Sequence, residues 1–508
     1  MVWHRAGTIV MAAAALLVAT LSLAQEAKAV SPLPASGRRG MAVSAQRLAS
    51  NIGVQILKQG GNAVDAAVAM AYAEAVVNPC CGNIGGGGFM VIHLARGTDT
   101  FIDFRETAPR AATPTMYLNA QGQVEQAESW VGYKAVGVPG TVLGLDAALR
   151  EYGRLSRAQV MSPAIHLARN GFRLTAADAA ILDFKAAQFR GNPAIARIFL
   201  RRDGSPLRAG DRLVQRDLAK SLEAIMRDGT KVFYHGSIAR AIAAASAAGG
   251  GILTARDFAD YRIAETAPLS CSYRGYTILS APPPSSGGTT LCEILNVLSG
   301  YDMKALGFHS AAAVHLIAEA MRHAYFDRNT ELGDPRFVHD PLSKLLSPAH
   351  ATAIRAAILP DRATPSRSLG AAFPVPERRE TTQISVIDHA RNAVSLTYTL
   401  NGYFGALEMA PGTGILLNDE MNDFTSKPGV PNVYGLVQGP ANAIAPGKRP
   451  LSSMTPTLVM RNGRVFLVLG SPGGARIITI ALETLMNVID YGMDPQHAVD
   501  APRFHQQW

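Results

Sequence analysis

Two short patterns carry residue types that suit acyl transfer. The first is Thr381-Thr382, which follows a charged, proline-containing segment at residues 360–380 and begins a strand-like alternation. A hydroxyl at the start of a strand, preceded by a cleavable loop, can become the first residue of a new chain and act there as a nucleophile. Taken alone, the pair is more typical of two ordinary strand threonines.

The second pattern is Gly473-Gly474, between an apolar strand and a helix. Bare N–H groups at a helix N-terminus bind anions, and the oxyanion of an acyl-transfer intermediate is an anion. From this motif alone, an ordinary strand-to-helix turn is the more frequent explanation. The sequence has no G-x-S-x-G nucleophile elbow, no H-E-x-x-H zinc helix and no phosphate-binding P-loop.

Neither the glycine run at residues 85–88 nor the histidines add a cofactor or metal site. A strand follows the glycines, which favours a tight loop over a dinucleotide-binding turn. His315 and His323 lie on one predicted helix but not four residues apart, which favours structural or surface roles. The sequence therefore predicts no metal and no cofactor.

The elements that must position these groups are helices followed by hairpins. Periodicity predicts a helix at residues 45–58, stopped by Gly60-Gly61, and an alanine-rich helix at 62–77. Other predicted elements are helices at 157–170, 218–228, 237–248 and 310–327, a strand at 89–94, and hairpins at 383–400 and 457–469.

Composition narrows the classes of partner. The 508 residues are 48% hydrophobic and carry a formal charge of +9, without a dense basic run or a basic-aromatic stripe, so nucleic acid is excluded as a partner. The four cysteines are too few for a disulfide scaffold. For adjacent Cys80 and Cys81, both a vicinal disulfide and two buried thiols stay open.

The N-terminus has the pattern of an export signal. His4 and Arg5 precede an apolar run at residues 9–23, and Ala27-Lys28-Ala29 supplies a small-residue cleavage site. We predict a signal peptide at residues 1–29 and a mature, periplasmic or secreted protein with no membrane segment. The alternative is an uncleaved membrane anchor.

Several segments together resemble the gamma-glutamyltransferase family, an N-terminal-nucleophile family. The resemblance runs from about residue 41 to the last residue, with the motifs in the expected order. The segments that carry it are 60–67, 82–90, 103–106, 381–388, 416–424, 448–454 and 470–474.

The resemblance implies an α+β fold, a four-layer αββα sandwich, and self-cleavage of the Glu380–Thr381 bond. Residues 30–380 would form the large subunit and 381–508 the small, catalytic subunit of a heterodimer. The family continues for several dozen residues beyond the position of Trp508, so the resemblance implies a truncated C-terminus that lacks strands of the small subunit.

The resemblance also assigns roles. Thr381 would be the nucleophile with its own α-amine as base, Thr399 would position it, and Gly473 and Gly474 would bind the oxyanion. Arg105, Ser452 and Ser453 would bind the substrate α-carboxylate. Asn401, Glu420 and Asp423 would hold the α-ammonium, and Tyr434 lies in the segment 431–448 that resembles a lid.

The implied activity is that of a gamma-glutamyltransferase and glutathione hydrolase. It would move the gamma-glutamyl group of glutathione to water, or to amino acid and peptide acceptors, through an ester on Thr381. Two alternatives remain: a glutaryl or cephalosporin acylase of the same fold, whose substrate lacks the α-ammonium, and an inactive exported binding protein.

Overall fold

The computed structural model describes residues 33–366 and 380–507. The predicted signal peptide and most of the charged segment before Thr381 lie outside these ranges. Among the described residues, no helix combines the length and the apolar character needed to cross a bilayer. One compact unit spans Gly37–Glu483 with residues 503–507 and holds every strand described below; a second includes Thr484–Pro502.

The secondary structure consists of seventeen described α-helices and twelve described strands, with short 3₁₀ turns between them. The helices are α1 Arg47–Lys58, α2 Ala63–Val77, α3 Thr141–Tyr152, α4 Arg157–Asn170, α5 Ala176–Phe189, α6 Pro193–Phe199, α7 Arg216–Asp228, α8 Lys231–Tyr234, α9 Ser237–Ala248, α10 Ala255–Asp260, α11 Gly287–Leu298, α12 Met303–Leu306, α13 Ala311–Glu331, α14 Leu342–Leu345, α15 Pro348–Ala357, α16 Ile477–Ile489 and α17 Pro495–Asp500. The strands are β1 Gly40–Ser44, β2 Gly87–Leu94, β3 Thr98–Asp103, β4 Phe172–Arg173, β5 Arg212–Leu213, β6 Ala264–Thr266, β7 Leu269–Tyr273, β8 Tyr276–Ser280, β9 Thr382–Asp388, β10 Ala393–Thr399, β11 Thr457–Arg461 and β12 Arg464–Leu469.

Two antiparallel sheets form the centre of the larger unit. The first has the order β1-β9-β10-β2-β3-β6 and the second the order β12-β11-β8-β7. Alternate residues of β2 face opposite sides: Phe89 and Val91 pack with Leu458 of the second sheet, whereas Met90 and Ile92 belong to the core under the helices. Every residue of β10 is buried, as a central strand covered on both faces requires.

Helices cover the outer faces of both sheets. Helix α2 packs on β9 and β10, while α11 packs on β7 and β8 and carries α13 on its far side. The layers are therefore helix, sheet, sheet and helix, and the expected mixed α and β fold with antiparallel sheets is confirmed. All residues of α2 are buried, which its many alanines allow because small side chains let helix and sheet approach closely.

Local sequence signals explain where α2 starts. The Asn62 side chain accepts from the backbone of Val64 and Asp65, and the Asp65 carboxylate accepts from Asn62 N, forming a capping box. Such a cap stabilises a helix by about 1 kcal/mol. Asp388, at the end of β9, accepts from Ala63 N at 3.0 Å and so ties the β9–β10 hairpin to this helix.

The cysteines form two disulfides. Cys80 is joined to Cys81, which resolves the alternative left open by the sequence, and Cys271 is joined to Cys292. The second bond links β7 to α11, the helix that covers its sheet. Nothing in the 21-residue spacing predicted this pair, because the two positions meet only once the sheet and its covering helix have packed.

Candidate active site

Thr381 lies immediately before β9, next to the end of β10. Its φ of +95° is in the left-handed region that a β-branched residue rarely adopts. The hydroxyl donates to Thr399 Oγ1 at 3.2 Å, and the same oxygen accepts from Asn401 N at 2.9 Å. Hairpin pairing brings these groups together, since Tyr398 lies opposite Thr382 across the two strands.

The peptide carbonyl before Thr381 already contacts the glycine motif. Gly473 N donates to the carbonyl oxygen of Glu380 at 2.8 Å. Both motif glycines have positive φ, +137° at Gly473 and +57° at Gly474. A Cβ on Gly474 would lie 2.5 Å from the Tyr434 ring, so this position requires glycine for space as well as for its conformation. If Thr381 attacks this carbonyl, the developing negative charge falls on an oxygen that already has a donor.

A buried cluster of charge surrounds Arg105. Its guanidinium pairs with Glu420 at 2.6 Å and with Asp423 at 2.5 Å, and Glu106 lies 3.6 Å away. Burial by itself would lower the pKa of Arg105, but the attraction of Glu420 and Asp423 reverses this and raises it, so the side chain stays charged. Pro450 O accepts from Arg105 Nε at 3.2 Å, which further fixes the orientation of the Arg105 guanidinium.

The carboxyl groups of this cluster differ in their environment. Burial raises the pKa of Glu106 to about 8 and holds the pKa of Glu420 well above its ordinary value. Asp423 is more open, because its side chain keeps 13% of its surface exposed whereas that of Glu420 has none. A cation that enters from the cavity therefore meets Asp423 first.

Tyr434 closes one side of the site. Its hydroxyl donates to Asn401 Oδ1 at 2.8 Å, and its ring meets Trp130 edge-on at 6.3 Å between centroids. Gln507 Nε2 donates to Tyr434 O at 3.0 Å. The predicted lid segment thus lies over Asn401 in this structure.

One cavity brings most of the predicted residues together. Nine of the eleven line it: Arg105, Thr381, Thr399, Asn401, Asp423, Tyr434, Ser452, Ser453 and Gly474. The other two lie next to it: Glu420 contacts Arg105, and Gly473 donates to the Glu380 carbonyl.

Sequence reasoning missed five residues that also line this cavity: Arg328, Leu436, Met454, Ala475 and Ile477. For Arg328 a signal existed, because it lies seven residues after Met321 on a core-facing stripe of α13 where an arginine is out of place.

A second group of ligand-type side chains lies away from this cavity. Glu293, Asp327 and His350 approach one another closely, and His350 Nε2 lies 2.8 Å from Asp327 and 3.3 Å from Glu293. Burial raises the pKa of Glu293 to about 8. Hydrogen bonding to Glu293 leads the causes that raise the pKa of His350 above its ordinary value.

Comparison with known proteins agrees with this geometry. The model of the Gamma-glutamyltranspeptidase family matches residues 49–508. A glutathione hydrolase proenzyme of Pseudomonas sp. (strain A14) is 55% identical over 97% of this chain and 86% of its own length. A glutathione hydrolase proenzyme of Escherichia coli (strain K12) is 48% identical over 94% of this chain and 82% of its own.

Solved structures share the fold. The crystal structure of a cephalosporin acylase from Bacillus halodurans superposes with a TM-score of 0.81 at 28% identity, covering 94% of this chain and 86% of the acylase. The family match and the two sequence relatives lead to one conclusion: this chain belongs to the gamma-glutamyltranspeptidase family.

Proposed function

We propose that this chain is a gamma-glutamyltransferase and glutathione hydrolase that matures by cutting itself between Glu380 and Thr381. The observation that carries the proposal is the position of that peptide bond. Its carbonyl oxygen accepts from Gly473 N at 2.8 Å, and the Thr381 hydroxyl is held by Thr399 at 3.2 Å. Nucleophile, electrophile and oxyanion donor therefore share one site.

Self-cleavage needs no further reactant than water. Thr381 Oγ1 attacks the Glu380 carbonyl carbon, the C–N bond breaks, and the hydroxyl proton goes to the nitrogen, which becomes the α-amine of Thr381. Water then hydrolyses the ester, giving a carboxylate on Glu380 and restoring the hydroxyl. The left-handed backbone at Thr381 favours this step, because about 1–3 kcal/mol of conformational strain is released when the bond is cut.

Turnover repeats the same chemistry on a substrate. The freed α-amine has an ordinary pKa of about 7.8, so a good fraction is neutral at physiological pH and can take the proton of the Thr381 hydroxyl. The gamma-carbonyl of glutathione would replace that of Glu380 against Gly473 and Gly474. The gamma-glutamyl ester then passes its acyl group to water, or to the amine of an amino acid or peptide.

Recognition of a free α-amino acid end favours a glutamyl over a glutaryl substrate. Arg105, Ser452 and Ser453 offer donors to an α-carboxylate, and Asp423 with Glu420 offers acceptors to an α-ammonium. A glutaryl group has no ammonium to donate to Asp423 and Glu420, so it lacks the charge-assisted contacts that a glutamyl group gains there. The acylase relatives of this fold keep the alternative open to experiment.

Two measurements test the proposal. Hydrolysis of gamma-glutamyl-p-nitroanilide is compared with that of glutaryl-p-nitroanilide, and we expect a higher kcat/KM for the glutamyl compound. A clear preference for the glutaryl compound assigns the protein to the acylases instead. On a denaturing gel the enzyme should run as two chains, whereas a single full-length chain without activity points to a binding protein.

Processing and export are part of the same proposal. We infer removal of residues 1–29, a large subunit ending at Glu380 and a small subunit beginning at Thr381, in the periplasm or outside the cell. N-terminal sequencing of the small chain should begin Thr-Thr-Gln-Ile. Any other first residue there contradicts the assignment of the nucleophile.

A further inference from the structure

The site holds a second arginine that sequence motifs did not indicate. Arg328, on α13, lines the cavity and is 1% exposed. Among the described residues it makes no ion pair; its partners are neutral oxygens. Nε donates to Ser286 at 2.9 Å, Nη1 to Asn329 at 2.7 Å and Gln438 at 3.0 Å, and Nη2 to Ser453 at 3.0 Å.

Burying a guanidinium without a carboxylate partner destabilises the fold, unless an anion that binds beside it supplies the negative charge. Burial lowers the pKa of Arg328 to about 10, which still leaves the group charged at neutral pH. Arg105, by contrast, lies in direct contact with the carboxyl groups of Glu420 and Asp423. Among the described residues that line the cavity, Arg328 is therefore the positive charge without a direct carboxylate partner, and it is available to a substrate carboxylate.

The hydrogen bond from Arg328 also fixes how Ser453 behaves. A hydroxyl has one proton and two lone pairs, and Ser453 Oγ uses a lone pair to accept from Arg328. Ser452 Oγ likewise accepts from Met454 N at 3.1 Å. Neither hydroxyl donates to another described residue, so both protons are available to an anion in the cavity.

Arg328 further connects the two ends of the amino-acid subsite. Its Nη1 donates to Gln438 Oε1, and Gln438 Nε2 donates to the backbone carbonyl of Asp423 at 2.9 Å. The residue that would orient the carboxylate-binding serine thus also fixes the loop that carries the ammonium-binding aspartate.

We propose that Arg328 is a specificity-determining positioning residue, which orients Ser453 as a hydrogen-bond donor and supplies the unpaired positive charge that selects donors with an α-carboxylate. This inference rests on the proposed function, because it assumes that the amino-acid end of a gamma-glutamyl donor occupies this cavity. It adds a group from the large-subunit helix α13 to a subsite otherwise built from loops.

The test uses the self-cleaved enzyme and three p-nitroanilide donors. The gamma-glutamyl donor has both charges, the glutaryl donor lacks the ammonium, and the 4-aminobutyryl donor lacks the α-carboxylate. For Arg328→Gln we expect KM to rise about tenfold or more for the first two, with kcat changed less than about threefold, since a charge-assisted contact to bound substrate is lost. KM for the 4-aminobutyryl donor should stay within about twofold because that donor has no group for the subsite.

Two further variants make the result specific. Arg328→Lys keeps the charge but not the planar fork, so its KM for the carboxylate donors should lie between those of wild type and Arg328→Gln. Arg322→Gln, the matched control, removes a largely buried arginine from the same helix, where it pairs with Glu319 away from the cavity. It should leave all three KM values unchanged.

Several outcomes overturn the inference. Equal KM increases for all three donors would make Arg328 a general structural residue, and unchanged values in cut Arg328→Gln enzyme would remove its role altogether. If Arg328→Gln is not cut into two chains, the test is made with Arg328→Lys. A ratio of the glutaryl KM to the 4-aminobutyryl KM in Arg328→Lys equal to that of wild type then rejects the proposal. None of these results contradicts the proposed function. That function is contradicted instead if Thr381→Ala is still cut and active.

Discussion

The hydroxyl of Thr399 offers a sharp perturbation, because Thr399→Val removes one oxygen and keeps the shape of the side chain. Two hydrogen bonds end on that oxygen, from the Thr381 hydroxyl at 3.2 Å and from Asn401 N at 2.9 Å. In the proposed self-cleavage, the first orients the Thr381 hydroxyl for attack on Glu380. The second satisfies a buried backbone donor at the turn after β10.

The expected magnitude follows from those two bonds. Loss of a neutral hydrogen bond to the nucleophile, with some disorder of the turn, costs about 1–2 kcal/mol. That corresponds to a decrease of about five- to thirtyfold in the self-cleavage rate. The unpaired Asn401 N costs about 1–3 kcal/mol of folding free energy as well, so Tm should fall.

The assay is a time course of freshly folded precursor on a denaturing gel, with Tm measured on uncut Thr381→Ala backgrounds. The matched control is Thr397→Val, two residues earlier on the same buried strand, whose hydroxyl donates to Gln383 at 2.5 Å and not to the nucleophile. Cleavage of Thr399→Val at the wild-type rate, or equal slowing by Thr397→Val, would refute the assigned role.

Three other predictions follow from separate features. Thr381→Ala should remain one uncut chain without hydrolase activity, seen by gel and by p-nitroaniline release. Burial raises the pKa of Glu74 from 4.5 to about 7, so the protonated side chain stabilises the fold at low pH and this contribution is lost as the pH rises through 7. Glu74→Gln does not titrate there, so its free energy of unfolding relative to wild type should increase by up to about 3 kcal/mol between pH 4.5 and 8. Denaturant unfolding at a series of pH values measures this difference. Replacing Cys271 and Cys292 by serine should cost about 3 kcal/mol, read as a lower Tm than that of the oxidised wild-type protein.

The sequence predicted the parts of this protein that local chemistry controls. The alanine-rich α2 and the hairpin of β9 and β10 have signals within a few residues of themselves, and both lie within two residues of their predicted positions. The αββα layering and the assembly of the predicted site came from the family resemblance and could not be derived from periodicity alone.

What could not be predicted depends on contacts distant in sequence. Arg105 and Asp423 are 318 residues apart, and no local pattern reports that their ion pair also includes Glu420. Arg328 and Ser453 are 125 residues apart and meet only when α13 packs beside the loop before β11. The Cys271–Cys292 bond has the same origin, since a strand and its covering helix must first come together.

Under the proposed self-cleavage, the contact between Gly473 N and the carbonyl of Glu380 makes maturation depend on the geometry that turnover also requires. A copy whose glycine loop is displaced, or whose hairpin holds Thr381 out of line, lacks the same geometry that turnover requires and stays in one piece. The pool of two-chain protein is thereby enriched in copies with a correctly assembled centre. Defective folding would show as persistent precursor, while the cut fraction keeps a nearly constant activity per molecule.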